Sequence, residues 1–504
     1  MVGATMGAFL AVLNIQIVNS SLADIQGAIG AGIDEGGWVT TSYLVTEIIV
    51  IPLTGWLAAV FSVRRYLLVN TVLFLAFSVA CAFAQDLSQM IVLRGLQGFA
   101  GGVLIPMAFT IIITMLPPAN RPIGIALFAV AATFAPAIGP TIGGYLNDNY
   151  GWEFIFYVNL VPGIAMLAML WYALPPAPMR LDLLKHGDWV GIATLAIGLG
   201  ALQTVLEEGN KDDWFGSPFI LRLSIVAGVA LLAFVWIELS VKKPVIDLRL
   251  LRRRNFGLGT FAAFLLGVAL YGSSFLLPLY LSQMQGYNSQ QIGEVLAWTG
   301  IPQLAIIPLV PLLMKRIDAC ILVGVGFALF AASNFMNVAL SADVARDQLF
   351  WPNIVRALGQ AVLLTPLTAI ATAEVAAADA GSASGLYNMT RNLGGAIGIA
   401  ALQTILTKRE QLHSTVITAR VSEFEPATRL RIGQLQQYFL AHGVSDPAAA
   451  WHQAVAAIGR TVRMQSYLLA YADAFFILGA ALVMAFATVL LFKRAGGAGA
   501  AGAH

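Results

Sequence analysis

Charged side chains are scarce in this sequence of 504 residues, of which Lys, Arg, Asp and Glu together make up 11%. Soluble domains carry about 25% charged residues. Hydrophobic residues make up 59%, and the mean hydropathy is +0.80. The formal net charge of +2 is too small to indicate a nucleic-acid partner. The composition therefore predicts an integral membrane protein.

Cysteine pairs, metal-binding clusters and nucleotide-binding loops are also missing. Cys81 and Cys320 lie in apolar stretches without a CxxC pattern, so neither a disulfide framework nor a metal site is indicated. The sequence has no GxxxxGK(S/T) and no HExxH. We expect the histidines to lie in loops or in the tail, at His186, His413, His442, His452 and His504. These absences argue against an enzyme, an ATP-driven pump, a metal site and a cofactor.

Long apolar stretches are abundant. Fourteen are long enough to cross about 30 Å of hydrocarbon as helices. The first has no basic region before it, so we interpret it as a span and not as a signal peptide. The stretches are 1–22, 37–61, 67–85, 89–115, 122–146, 153–173, 188–206, 218–238, 255–281, 294–314, 319–340, 349–373, 382–406 and 467–492.

Lys and Arg are concentrated in alternate short connections, which predicts the orientation. Connections such as 23–36 and 147–151 contain neither residue. The basic connections should face the cytoplasm, with both chain termini on that side. They contain Arg64 and Arg65, Arg121, Arg180 and Lys185, the segment 242–254, Lys315 and Arg316, and Lys493 and Arg494.

The order of motifs repeats once along the chain. LRGLQG is followed by Pro106 in the fourth stretch, and VRALGQ by Pro366 in the twelfth; glycine-rich segments follow at 139–144 and 392–398. Two parallel six-helix halves would produce this order. We predict an N-terminal half at 1–173, an inserted helix pair at 174–254, a C-terminal half at 255–494 with a long connection at 407–466, and a flexible tail at 495–504.

These motifs, in this order, resemble the fourteen-helix drug:proton antiporters of the major facilitator superfamily, of the EmrB/QacA type. WVTTSYL, DDWFGS at 212–217 and RNLGGAIG at 391–398 add to the resemblance. The fourth-helix motif is matched by Arg94, Gln97, Gly98 and Gly102, and the antiporter motif of helix five by Gly139, Pro140, Gly143 and Gly144.

The resemblance implies an all-α integral membrane fold with fourteen transmembrane helices. It also implies proton-coupled export of amphipathic or hydrophobic compounds across a bacterial inner membrane, driven by the proton gradient without a cofactor. An exporter of an endogenous lipid, siderophore or metabolite stays open as an alternative, as does a non-transport membrane component on a transporter scaffold.

Ionisable residues inside apolar stretches are the candidates for proton coupling. An arginine such as Arg94 must be paired, hydrated or used there, because an isolated charge is costly in the membrane interior; a structural ion pair is the alternative. The family's acid in helix one is replaced by Asn14. Glu47, in the middle of the second stretch, is therefore the leading proton carrier. Asp473 is a third candidate, although it could merely anchor the last helix.

Polar residues in the same apolar stretches are the candidates for a substrate cavity: Asn14, Gln16, Asn19, Gln97, Arg356, Gln360, Asn388 and Arg391. The glycines of helix five would let a neighbouring helix approach closely, and Pro140 would bend the helix; simple packing is the alternative.

The loop motif after helix two keeps Gly55, Arg64 and Arg65 but has Ala59 and Val60 where the superfamily has an acid. This departure puts the family's conformational latch in doubt. The two arginines could instead serve only to fix the topology.

The long polar connection 407–466 should face away from the cytoplasm and form two amphipathic helices. Asp446 is a candidate N-cap with Pro447 in the first turn. One face of the second helix would carry Trp451, Val455, Ile458 and Val462. These helices could lie on the membrane, cover the protein or dock a partner; the resemblance implies a periplasmic adaptor and an outer-membrane channel.

Overall fold

The computed structural model describes residues 1–32, 35–117, 120–185, 187–241, 244–341, 346–376, 379–422 and 424–492. Several predictions therefore fall outside the described residues: those on Lys493, Arg494, His186, His504, the basic pair at 242–243 and the tail at 495–504. Within these ranges, all regular secondary structure is helical.

The first half of the chain contains twelve α-helices: α1 Val2–Ser20, α2 Leu22–Ala28, α3 Trp38–Phe61, α4 Val63–Cys81, α5 Leu87–Gly101, α6 Leu104–Met115, α7 Arg121–Tyr150, α8 Phe154–Tyr157, α9 Leu160–Ala173, α10 Asp182–Lys185, α11 Trp189–Glu208 and α12 Pro218–Ser240. The second half continues with α13 Arg254–Gln285, α14 Ser289–Ile306, α15 Val310–Leu313, α16 Ala319–Met336, α17 Phe350–Ala361, α18 Leu364–Thr372, α19 Ala380–Thr418, α20 Pro426–Ala441 and α21 Pro447–Val489.

Length and composition identify twelve helices in the described residues that could cross a membrane, or thirteen if the bent α7 is one span. Each of the fourteen stretches predicted from the sequence is helical over most of its length, some of them as two or more consecutive helices. The stretch 382–406 lies in α19, where Asn388 and Arg391 lower the hydropathy. Both of these side chains are buried. The chain is thus an all-α integral membrane protein, while the cytoplasmic position of its termini stays a prediction.

Proline interrupts the fourth and twelfth stretches at equivalent places. Residues 102–103 separate α5 from α6, and residues 362–363 separate α17 from α18. In each case a proline follows, Pro106 or Pro366. Its missing N–H leaves the carbonyl group four residues earlier without a helical partner. The same break in both halves agrees with the repeat in the sequence.

The bend in α7 has the same cause. The segments Arg121–Pro136 and Ile138–Tyr150 meet at 46°. The ring of Pro140 clashes with the carbonyl group of Pro136, four residues earlier, so a kink is expected at this point. The bend predicted from Pro140 is confirmed.

The inserted pair, α11 and α12, is joined to the other long helices mainly through α11. Helix α11 packs on α3 and α19 as well as on α12. The segment that follows α12 buries Val245, Ile246 and Leu250 in a small core with residues of α3, α11 and α19. The domain boundaries themselves stay a prediction.

The long connection 407–466 differs from the prediction of two separate helices. Helix α20 is separate, but the second amphipathic segment is the beginning of α21, which continues through the last span without a break. No proline follows Pro447 in this helix, and a change from polar to apolar residues does not end a helix. The placement of His413 and His452 in loops is consequently wrong, because they lie in α19 and α21.

Candidate functional site

Arg94 is completely buried, with 0% of its surface exposed. Its Nε donates to the carbonyl oxygen of Val39 at 3.2 Å, and its Nη1 donates to Asn14 Oδ1 at 2.9 Å and to Gln97 Oε1 at 2.6 Å. The guanidinium carbon lies 4.3 Å from the centre of the Tyr43 ring. Neutral acceptors and an aromatic face therefore stabilise this cation.

No carboxylate lies within ion-pair distance of Arg94 in the described ranges. The structural ion pair that the sequence left open for Arg94 is therefore wrong for the described residues. At Asn14, where the resemblance implies an acid, the side chain gives the guanidinium a neutral amide oxygen instead. The positive charge of Arg94 is consequently left unneutralised by its direct contacts.

A second layer of polar residues fixes the orientation of Gln97. Its Nε2 donates to Ser78 Oγ at 2.6 Å, and Asn159 Nδ2 donates to the same oxygen at 3.3 Å. All three side chains are buried. Ser78 and Asn159 were not predicted from the sequence; their isolation in apolar stretches was the available signal.

Glu47 lies on α3, one helical turn after Tyr43. Only 5% of its surface is exposed, and in the described structure its carboxyl group has no hydrogen-bond or ion-pair partner. A Cβ atom at Gly102 would lie 2.9 Å from Glu47 Cα, and one at Gly98 would overlap the Tyr43 carbonyl oxygen. The glycines of the fourth-helix motif thus let α3 pack directly on α5, with Tyr43 and Glu47 on the contact face.

Asp473 belongs to a different cluster. Its Oδ2 lies 2.9 Å from His413 Nε2 and 3.4 Å from Arg409 Nε, both on α19. Its side chain is about one third exposed, at 33%. These contacts connect α21 to α19, as the anchoring alternative requires.

The predicted cavity residues are divided among several places. Asn14 and Gln97 contact Arg94. Arg356 Nη2 donates to Ser274 Oγ at 3.0 Å, and Gln360 accepts from Gln303 at 2.7 Å, in the C-terminal half.

The remaining predicted cavity residues lie on α1 and α19. Asn388 Nδ2 donates to the carbonyl oxygen of Ser384 on its own helix at 3.0 Å. Asn19 accepts from Thr40 at 2.9 Å and is exposed, whereas Gln16 is half-buried against α7.

Arg391 contacts the opposite half. Its guanidinium carbon lies 5.8 Å from the ring centre of Phe128 on α7. Like Arg356, it is buried and has no ion-pair partner among the described residues. Among the described residues, the buried charged side chains thus include these two arginines and Arg94, together with Glu47 in the middle of α3. The other buried acids, Glu208 and Glu238, lie at or near the ends of α11 and α12.

The two halves touch where α3 approaches the start of α19. A Cβ atom at Gly55 would lie 2.7 Å from the carbonyl carbon of Gly381. Ser384 Oγ donates to the Pro106 carbonyl oxygen at 3.2 Å, and the rings of Phe109 and Tyr387 stack at 5.9 Å. We call this contact region the closed end. It lies beside the loop of Arg64, on the side that the Lys/Arg bias assigns to the cytoplasm.

The antiporter-motif glycines face α1. A Cβ atom at Gly139 would lie 2.5 Å from Gln16 Cβ, and one at Gly143 would be 3.0 Å from the Ile17 carbonyl oxygen. The predicted close approach of a neighbouring helix is confirmed for these two positions. Gly144 lies in the same helix.

The loop-motif arginines bind within their own half. Arg64 Nη2 donates to the carbonyl oxygen of Trp171 at 2.9 Å, and its guanidinium lies over that ring. Arg65 is exposed. Across the described ranges neither arginine pairs with a carboxylate, which agrees with the loss of the acid from this motif.

The predicted partner-binding stripe lies on the first turns of α21. Asp446 accepts from the backbone N–H groups of residues 448 and 449, which confirms the N-cap. Helix α20 packs on α21. Ala450 and Ala454 are buried, whereas the stripe residues Trp451, Val455, Ile458 and Val462 stay partly or fully exposed.

Known proteins provide an independent comparison. The Major Facilitator Superfamily matches residues 4–399. The chain is 32% identical to the colistin resistance protein EmrB of Acinetobacter baumannii over 486 residues, 96% of this chain and 94% of that protein. It is 31% identical to the multidrug export protein EmrB of Escherichia coli over 508 residues, 100% and 97% of the two chains.

Among solved structures, the proton:xylose symporter XylE has a TM-score of 0.60 at 14% identity, with 96% of this chain and 93% of that chain covered. This likeness concerns the fold alone. It agrees with the two-half helical architecture.

Proposed function

Since the chain belongs to the Major Facilitator Superfamily and is a transporter, not an enzyme, we propose that it is a proton-coupled antiporter that exports amphipathic or hydrophobic compounds. The relatives named for multidrug export and colistin resistance support efflux as the direction. We assign it to the inner membrane of a bacterial cell. The observation that carries the proposal is the unpaired carboxyl group of Glu47, one turn from the aromatic ring that covers Arg94.

Glu47 is suited to bind and release a proton because its neutral and its ionised carboxyl group would make different contacts. In its neutral form it requires no counter-ion. After it loses the proton, the nearby cation is Arg94, whose contacts are all neutral, so the carboxylate would compete with Asn14 for the guanidinium. A new contact between Glu47 and Arg94 would shift α3, which carries Glu47, relative to α1 and α5, which carry Asn14 and Arg94.

Helix α3 would carry this movement to the closed end. Gly55 lies eight residues after Glu47, about 12 Å along a helix. Since the Gly55–Gly381 contact is between backbones, a small shift of α3 would separate the halves there. Protonation of Glu47 and opening of the closed end would in this way be coupled through α3.

The interior charges favour acidic substrates. Arg356 and Arg391 are buried cations, and the described residues provide no acid that pairs with either. An amphipathic compound with a carboxylate or sulfonate would supply the missing negative charge. We therefore propose that acidic amphiphiles bind more tightly than neutral compounds of the same shape.

A partner outside the membrane would complete the export path. The partly exposed stripe at 451–462 has the spacing of a helix that docks into a groove. We propose that it binds a periplasmic adaptor, which in turn connects the pump to an outer-membrane channel.

Proteoliposomes with purified protein and a pH indicator test the coupling. Addition of a substrate should release protons, and Glu47→Gln should abolish gradient-driven transport while substrate binding is retained, because the amide mimics the protonated carboxyl group. Glu207→Gln is the matched control, since Glu207 is an acid at the end of α11 that accepts from Gln203. Full transport by Glu47→Gln would refute the assignment. Binding without any proton movement in the wild type would favour the non-transport role that Asn14 suggests.

A further inference from the structure

An apolar groove lies on the outer surface of the N-terminal half, between α4 and α9. Its volume is about 560 Å³, and every side chain that lines it is apolar, including Val69, Val72, Ile164 and Trp171. Val69 and Ile164 are 56% and 60% exposed. Because both helices are membrane spans, this groove opens toward the acyl chains of the bilayer.

Positive charge is fixed at one end of the groove. Arg64 is one helical turn before Leu68, a lining residue. Trp171 lines the groove and also holds Arg64, through the 2.9 Å hydrogen bond to its carbonyl oxygen and through its ring, 4.9 Å from the guanidinium carbon. Arg65 follows directly, and the backbone N–H of Arg180 donates to Val60 at 2.8 Å on the same side.

These arginines have capacity for a further anion. In the described part of the chain, Arg64 has a single hydrogen bond, to a carbonyl group, and neither Arg65 nor Arg180 forms an ion pair. A guanidinium group has five N–H donors. A phosphate group would therefore find donors that are already held in position, and it would not have to displace a carboxylate.

The dimensions agree with one leaflet. From Arg64 to Leu73, the last lining residue of α4, the rise is about 14 Å, close to half of the roughly 30 Å hydrocarbon core. Trp171 and Tyr172 are 61% and 88% exposed, and exposed Trp and Tyr mark the level of the headgroups. The arginines are thus at headgroup depth and the groove is at acyl-chain depth.

We propose that this groove is a binding site for an anionic phospholipid of the cytoplasmic leaflet. One acyl chain lies between α4 and α9, and the phosphate accepts hydrogen bonds from Arg64, with Arg65 beside it. A transported compound is the poorer occupant, because both walls belong to the same half and the groove does not lie between the halves. The proposal does not depend on the transport mechanism.

Native mass spectrometry of the purified protein tests this site, with phosphatidylglycerol and phosphatidylethanolamine of identical chains as probes. Phosphatidylglycerol should bind more tightly. Arg64→Gln should weaken phosphatidylglycerol binding about fivefold with little effect on phosphatidylethanolamine. Ala168→Trp, which fills the groove, should weaken both lipids. Arg222→Gln and Val229→Trp on the exposed surface of α12 are the matched controls and should change neither.

Equal binding of the two lipids by the wild type would overturn the proposal, as would unchanged lipid preference in Arg64→Gln. Arg64→Lys serves if the glutamine variant does not fold, and it should keep the preference because it keeps the charge. Displacement of phosphatidylglycerol by a transported amphiphile would assign the groove to substrate and contradict the lipid site.

Discussion

A fully buried arginine without a carboxylate must obtain its stabilisation from neutral groups, and at Arg94 these are two amides, a carbonyl oxygen and an aromatic ring. Each of these groups restricts the position of the guanidinium more than a solvent-exposed ion pair would. The guanidinium reaches Val39 through Nε and reaches Asn14 and Gln97 through Nη1, whereas the single nitrogen of a lysine cannot occupy both positions.

Replacement of Arg94 by Lys should therefore reduce transport although the charge is kept. We expect a loss of about tenfold or more, because at least one charge-assisted hydrogen bond of about 1.5–3 kcal/mol disappears. Transport in proteoliposomes is the measurement, and Arg222→Lys, an exposed arginine of α12, is the control. Wild-type rates would mean that only a positive charge is needed.

Asn14 permits a direct test of whether Glu47 replaces the missing acid. Its Oδ1 is 2.9 Å from Arg94 Nη1, so Asn14→Asp places a carboxylate on the arginine without a change of shape. If the two positions share one role, the double variant Asn14→Asp/Glu47→Gln should recover proton release that Glu47→Gln alone has lost. Asn14→Ala/Glu47→Gln should not recover it. No recovery in the aspartate variant would show that position 47 has a role of its own.

Among the helices, α3 takes part in both regions that the proposed mechanism uses, the surroundings of Arg94 and the closed end. It carries Tyr43 and Glu47 against α5 and Gly55 against α19. The sequence predicted the helix and the acid in its middle, because those depend on local patterns, but it did not predict that Gly98 and Gly102 pack against this helix. It did not predict that Gly55 meets Gly381, because that contact joins residues of different halves.

Gly55→Ala should impair the closed end. The added methyl group would lie 2.7 Å from Gly381 backbone, and overpacking of this kind costs about 1–3 kcal/mol. We expect greater labelling of an engineered Ser384→Cys by a water-soluble thiol reagent, together with slower transport. Gly228→Ala on α12 is the matched control, since its Cβ would have no neighbour within 4 Å. Unchanged labelling would show that the halves do not close through this glycine.

At the scale of the whole molecule, the repeat of the two halves could be predicted from the sequence, because proline and glycine change the helix close to their own positions. The matching breaks before Pro106 and Pro366 are the clearest example. The start of α21 at Pro447 could not be predicted in this way, because hydropathy indicates whether a segment lies in water or in lipid and not where a helix begins or ends. Consequently, the predicted partner stripe belongs to a helix that continues into the membrane, and a force on the stripe would act on Asp473 and its contacts with α19.

This continuity sharpens the test of partner docking. Val455→Arg and Ile458→Arg place charges on the exposed stripe, which an apolar groove on an adaptor would reject. Gln453→Arg, on an exposed position of the same helix, is the control.

Docking predicts that the stripe variants fold and transport normally in proteoliposomes but lose adaptor co-purification and cellular resistance. Packing of the stripe on the pump itself predicts instead a lower melting temperature and weaker transport in proteoliposomes. Full cellular resistance in both stripe variants would contradict both explanations, because the apolar stripe would then serve neither a partner nor the pump.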